Sequence, residues 1–167
     1  LIKNIKVPLN FEMAATTEMQ EIALKHKPYA VCLVPEKREE KTTEGGLDVA
    51  ENENKLKEFI TPLSDSGSRV SIFVDAEQNQ LKAAQRIGAD VIELHTGTYC
   101  ELIAEKNFAD ARKELENLRK MSSLAYSLGL EVHAGHGLSF ETVCPIAHIP
   151  EIIELNIGHF IISEAIF

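Results

Sequence analysis

At 167 residues, with 44% hydrophobic and 26% charged side chains, the chain can bury a sizeable core and has the balance of a soluble globular protein. A formal net charge of −9 argues against nucleic-acid partners, because phosphate-backbone binding needs clustered Lys and Arg. No apolar run approaches the ~20 residues of a membrane span, and Leu1–Lys6 lacks the apolar stretch of a signal peptide, so a cytoplasmic protein with no membrane partner is expected.

Leu9–Met13 reads as a strand, followed by a helix capped by Thr16 or Thr17 and stopped by Pro28. Tyr29–Val34 is a continuously apolar strand of the kind that lies in a parallel sheet covered on both faces. A long connection, Pro35 to about Ala50, carries the glycine pair Gly45-Gly46. A helix is predicted over Asn52–Ser64 and a strand over Val70–Val74. Asp75 is read as the cap of the next helix, whose Leu81, Ala84 and Ile87 face inward, and Gly88 ends it. The strand Val91–His95, a long helix over Phe108–Leu128, the strand Leu130–Ala134 and the turn Gly135–Leu138 follow. A short helix near Phe140–Ala147, the strand Ile152–Ile157 and the start of a last helix after Gly158 complete the chain.

Six strands alternating with helices predict an α/β fold in one domain, 1–167. No strand is followed by Gly-x-Gly-x-x-Gly, which weighs against a dinucleotide-binding doubly wound sheet. Glu12, Glu93, His95, His133, His136, Asn156 and His159 all lie within strands or just beyond their C-terminal ends. A (β/α)8 barrel gathers those ends at one mouth, so a TIM barrel with about six of its βα units present is the expected architecture. The chain does not start with Met, and two units are needed to close such a barrel, so sequence is expected before Leu1.

Several residues at that mouth have useful chemistry. His136 stands between Gly135 and Gly137, where the backbone reaches positive φ and an imidazole can exchange protons near neutral pH; the alternative is a plain tight turn with an exposed ring. Gly158-His159 opens a helix after a strand, where free N–H groups suit a phosphate, unless the glycine serves the turn alone. Glu12 is a carboxylate in an apolar strand, facing either a barrel interior or solvent. Glu93 and His95, two residues apart, share one face of their strand, with Thr96-Gly97 adding donors beyond them. His95, His133, His136 and His159 also resemble a metal-ligand collection, though His-x-x-His on a strand and turn is not a zincin pattern. The loop Glu36–Gly46 is long enough to act as a lid or to be a solvated connection. His26 and His148 are read as surface residues. Cys32, Cys100 and Cys144 are odd in number and widely spaced, which predicts reduced, mostly buried thiols.

Taken together, Val34–Arg38 with Thr42–Asp48, Glu93–Gly97, Ala134–Leu138 and Glu154–His159 resemble the pyridoxine 5′-phosphate synthase family, in that family's order and over essentially the whole chain. The resemblance implies a (β/α)8 barrel condensing 1-deoxy-D-xylulose 5-phosphate with 3-amino-2-oxopropyl phosphate, with no cofactor and no metal. It implies Glu12 as a catalytic proton acceptor and His136 as a proton donor. Thr42 falls where the family binds the deoxyxylulose phosphate, and Gly137, Gly158 and His159 where it holds the aminoketone phosphate. It also implies a homo-octamer. Substrate-binding and catalytic residues of the family's first two strands have no counterpart here, because residues 1–8 match the helix before its third strand. His133 stands where the family usually has asparagine. A metal-dependent aldolase or epimerase barrel, and a non-catalytic barrel that binds a phosphometabolite, are the competing readings.

Overall fold

The computed structural model describes residues 2, 4–35 and 45–166. Six parallel strands form one sheet in sequential order: β1 (Asn10–Ala14), β2 (Ala30–Val34), β3 (Arg69–Val74), β4 (Val91–His95), β5 (Glu131–Gly135) and β6 (Ile152–Asn156). Between and after them come α1 (Thr17–His26), α2 (Glu53–Asp65), α3 (Gln78–Ile87), α4 (Gly97–Ala104), α5 (Phe108–Ser127), α6 (Val143–Ala147) and α7 (His159–Ile166). Right-handed crossovers repeated in one direction along a sheet place every helix on the same face. A doubly wound sheet reverses direction and covers both faces. The strands of this sheet never reverse, so the chain forms six units of a (β/α)8 barrel.

The core follows from that winding. One apolar cluster joins the helices to the outward face of the strands, including Met13, Leu33, Ile72, Leu94, Val132 and Ala134 with Leu63, Leu81, Leu118 and Ile146. A small second cluster, Cys32, Val34 and Phe73, lies on the inward face, which also carries Glu93 and His95. A strand alternates its side chains, so on β4 apolar outward Ile92 and Leu94 and polar inward Glu93 and His95 come from the same short segment.

Most predicted boundaries hold within two residues. Thr16 caps α1, its Oγ1 accepting from the Met19 N–H at 3.4 Å, and Gly88 ends α3 at φ 92°. Leu81, Ala84 and Ile87 are buried as expected. Two readings need correction. Asp75 does not cap α3; Glu77 holds that position with no side-chain bond, and the Asp75 carboxylate turns elsewhere. A helix between β4 and α5 was not anticipated: α4 is short and mostly apolar, with Thr98 and Glu101 exposed, and it begins on a glycine.

Candidate active site

Inward side chains of five strands, with the turns that follow, build the site. Glu93 on β4 is buried, and Asn156 Nδ2 of β6 donates to its Oε2 at 2.8 Å. The Cys32 thiol of β2 donates to the same oxygen at 3.5 Å. Glu12 of β1 pairs in register with Cys32, which puts it on the same concave face, where it is exposed. Burial and the neighbouring Glu12 charge push the Glu93 carboxyl up to about 7, against the opposing hydrogen bonds from Asn156 and Cys32. Burial and the Glu93 charge likewise push the Cys32 thiol up, so it stays protonated and donates.

One step nearer the C-terminal ends of the strands, His95 and His136 lie with ring centroids 5.0 Å apart, and Phe73 packs edge-on to His95 at 5.3 Å. The order of residues at the β4–α4 junction makes this possible. A Cβ on Gly97 would lie 2.4 Å from His95 Nε2 and 2.9 Å from His136 Cδ2, so only glycine leaves room for both rings. Gly135 has the same role one strand over, where a Cβ would meet Glu93 Oε1 at 2.2 Å.

His136 itself has φ 77° and Gly137 has φ 78°, two successive residues in the left-handed region. For a histidine that conformation is strained, at a cost of roughly 1–3 kcal/mol. Thr96 holds it: the fully buried Thr96 Oγ1 lies 2.7 Å from Gly135 O and 2.6 Å from His136 O, and the Thr96 N–H donates to Gly135 O at 2.9 Å. The sequence suggested Thr96 as a donor toward a ligand; its hydroxyl is instead spent on the turn. Burial, with the nearby charges of His95 and His159, lowers the His136 pKa, and Glu101 opposes this.

Gly158 and His159 lie exposed at the start of α7, with nothing within 4 Å of the Gly158 Cβ direction. The β6–α7 turn follows the C-terminal end of a parallel strand, so it lies on the same rim as the turns after β4 and β5. Thr42 and most of the expected lid fall outside the described residues. The return of that connection is well anchored: Gly46 N–H donates to Asp75 Oδ1 at 3.1 Å, Leu47 N–H to Phe73 O at 2.8 Å and Val49 N–H to Gln80 Oε1 at 2.8 Å.

His133 does not join the mouth. Its Nε2 meets Glu131 Oε1 at 2.9 Å and its Nδ1 lies 3.3 Å from Glu154 Oε1, in a network that Arg69 extends through Glu131. Among the described residues, no group of three His, Cys, Asp or Glu is placed to hold a metal ion. His26 and His148 are exposed, as expected. Two of the three free cysteines, Cys32 and Cys100, are buried, and Cys144 is exposed. Sequence reading missed the Cys32–Glu93 and Asp75–His95 pairings, whose members are 61 and 20 residues apart. For Asp75 the signal was position: like Glu93 and His95, it lies at the C-terminal end of a strand.

Residues 1–167 match the family described as "Pyridoxal phosphate biosynthesis protein PdxJ". The chain is 66% identical over 167 residues to the pyridoxine 5′-phosphate synthase of Ruegeria pomeroyi and 66% identical over the same length to that of Roseobacter denitrificans. Each alignment covers 100% of this chain and 67% of the relative, so the chain spans about two thirds of their length. Among solved structures, a xylose isomerase domain protein from Planctomyces limnophilus matches with TM-score 0.56 and 14% identity, over 90% of this chain and 62% of the other. The Xanthomonas citri FimX EAL domain matches with TM-score 0.57 and 12% identity, over 89% of this chain and 57% of the other. At those identities the likeness is one of fold alone.

Proposed function

Because this chain belongs to the PdxJ family of pyridoxal phosphate biosynthesis proteins, enzymes of vitamin B6 synthesis, we propose that the whole protein is a pyridoxine 5′-phosphate synthase. It condenses 1-deoxy-D-xylulose 5-phosphate with 3-amino-2-oxopropyl phosphate, releasing water and inorganic phosphate, by general acid and base catalysis. The observation that carries this reading is the convergence of Glu12, Glu93, His95 and His136 on the concave face of one sheet.

In this reading Glu12 accepts a proton from substrate and His136 donates one. The lowered pKa of His136 leaves it neutral in the empty site near pH 7. A phosphate dianion arriving at Gly137, Gly158 and His159 favours the protonated His136 imidazole and raises that pKa, so substrate binding loads the acid. Glu93, with a pKa of about 7, is poised between its two protonation states and serves as a second proton-transfer or charge-stabilising group. Thr42 contacts the deoxyxylulose phosphate, and the six units belong to one domain. The chemistry uses side chains alone, with no cofactor. A homo-octameric assembly in the cytoplasm belongs to the same reading; light scattering of the purified protein and cell fractionation test those two points.

The experiment is product formation by the whole protein from the two phosphorylated substrates, followed by mass spectrometry and by inorganic phosphate release. Pyridoxine 5′-phosphate with equimolar phosphate is the expected result. Absence of product from a folded protein, or turnover only with an added metal ion, overturns the reading.

A further inference from the structure

We propose that Asp75 is a positioning residue of this site: its carboxylate holds His95 with Nδ1 protonated, leaves Nε2 as the bare nitrogen beside His136, and ties that arrangement to the return of the β2–α2 connection. The inference rests on the concave mouth being the reaction site. Asp75 Oδ1 lies 3.1 Å from His95 Nδ1 and accepts the Gly46 N–H at 3.1 Å, so one oxygen serves both the imidazole and the connection. Gly46 fits there only as glycine, because a Cβ would lie 2.1 Å from Asp75 N and 2.5 Å from Val74 C. Further along, the Leu47 N–H bonds Phe73 O, and Phe73 packs edge-on to the His95 ring.

The His95 ring therefore has little freedom. It is buried, Asp75 fixes one edge, Phe73 covers it, and Gly97 admits Nε2 on the other side. In a neutral imidazole the nitrogen that carries hydrogen is set by the bond the other makes. A carboxylate accepts only, so the nitrogen facing it must be the donor. The Asp75 carboxyl is held below the usual carboxylate range, mainly by the His95 bond, so it is ionised at neutral pH. Charged or titratable neighbours of His95 are Asp75 at the end of β3, Glu93 on its own strand, His136 in the β5–α6 turn and Glu114 of α5; Glu101 and His159 face His136.

Labelling the whole protein with ¹⁵N-histidine and recording two-bond ¹H–¹⁵N correlations reads the tautomer directly, with no need for turnover. The expected spectrum shows His95 protonated at Nδ1 in the native protein, and a shift towards the Nε2–H form in Asp75→Ala. Asp75→Asn keeps an acceptor oxygen, so it should preserve the tautomer and serves as the second variant if Asp75→Ala does not fold. In kinetics, Asp75→Ala should lower kcat about 10- to 100-fold, as removing the carboxylate partner of a metal-bound histidine does, with KM changed less and the pH profile displaced. An Nε2–H tautomer in the native protein, or an unchanged Nδ1–H signal in Asp75→Ala, overturns the proposal. If no variant or native protein turns over substrate, the proposed reaction fails while the tautomer measurement still decides the role of Asp75.

Discussion

Glu93 titrates near 7 because burial and the Glu12 charge both oppose its ionisation, outweighing donations from Asn156 and Cys32. Its folded pKa is raised above the ordinary 4.5, so the folded chain binds the proton more tightly than the unfolded chain across that interval. Stability from this group is therefore complete below the unfolded value and is lost as pH rises through about 7, by up to about 3 kcal/mol. Glu93→Gln should flatten that slope, which urea unfolding over the same pH range checks; an unaltered slope contradicts the assignment. Thr96 gives a second expectation. Thr96→Val keeps the shape and removes the hydroxyl that meets the Gly135 and His136 carbonyls, which should destabilise the fold by about 1–3 kcal/mol in denaturant titration.

At the scale of elements, the β4–α4 junction does the positioning. Gly97→Ala places a methyl group where His95 Nε2 and His136 Cδ2 already lie, so both rings must shift. Alanine is the better helix former, so the melting temperature should change little while kcat/KM falls about 100-fold, the cost of a misplacement near 1 Å. Equal losses of stability and activity would point to general disruption instead. The junction also shows what was legible in the sequence. Glu93 and His95 sharing a face follows from strand alternation, and the Gly-His-Gly turn announces positive φ. Asp75 was misread as a cap because a cap is a local pattern, whereas its partner His95 lies one βα unit away. α4 was missed because it is only eight residues long, mostly apolar and opened by a glycine, and is held by packing against α5. The Cys32–Glu93 pair was invisible for a simpler reason: the registers of β2 with β3 and β3 with β4, which sequence does not state, bring them together.

For the molecule as a whole, the two rims of the sheet divide the work. At the N-terminal ends of the strands, Arg69 of β3 bonds Glu131 of β5 at 3.0 Å; mid-strand, in register with Glu93, the buried His133 lies between Glu131 and Glu154. The Arg69–Glu131 pair joins strands at the rim away from the mouth, where a barrel keeps its stabilising contacts. Arg69→Leu should therefore cost about 1 kcal/mol, since the pair is partly exposed, and leave kcat unchanged. At the C-terminal ends, β4, β5 and the turn into α7 bring titratable side chains to one mouth, and the proposed reaction would use them for proton transfer. The measurement that tests this most directly is the rate of pyridoxine 5′-phosphate formation by the whole protein against its His136→Ala variant, with circular dichroism confirming that both are folded. The account predicts that the variant loses about 100-fold or more of its kcat, as expected on removing a general acid; an undiminished rate in the folded variant would contradict it.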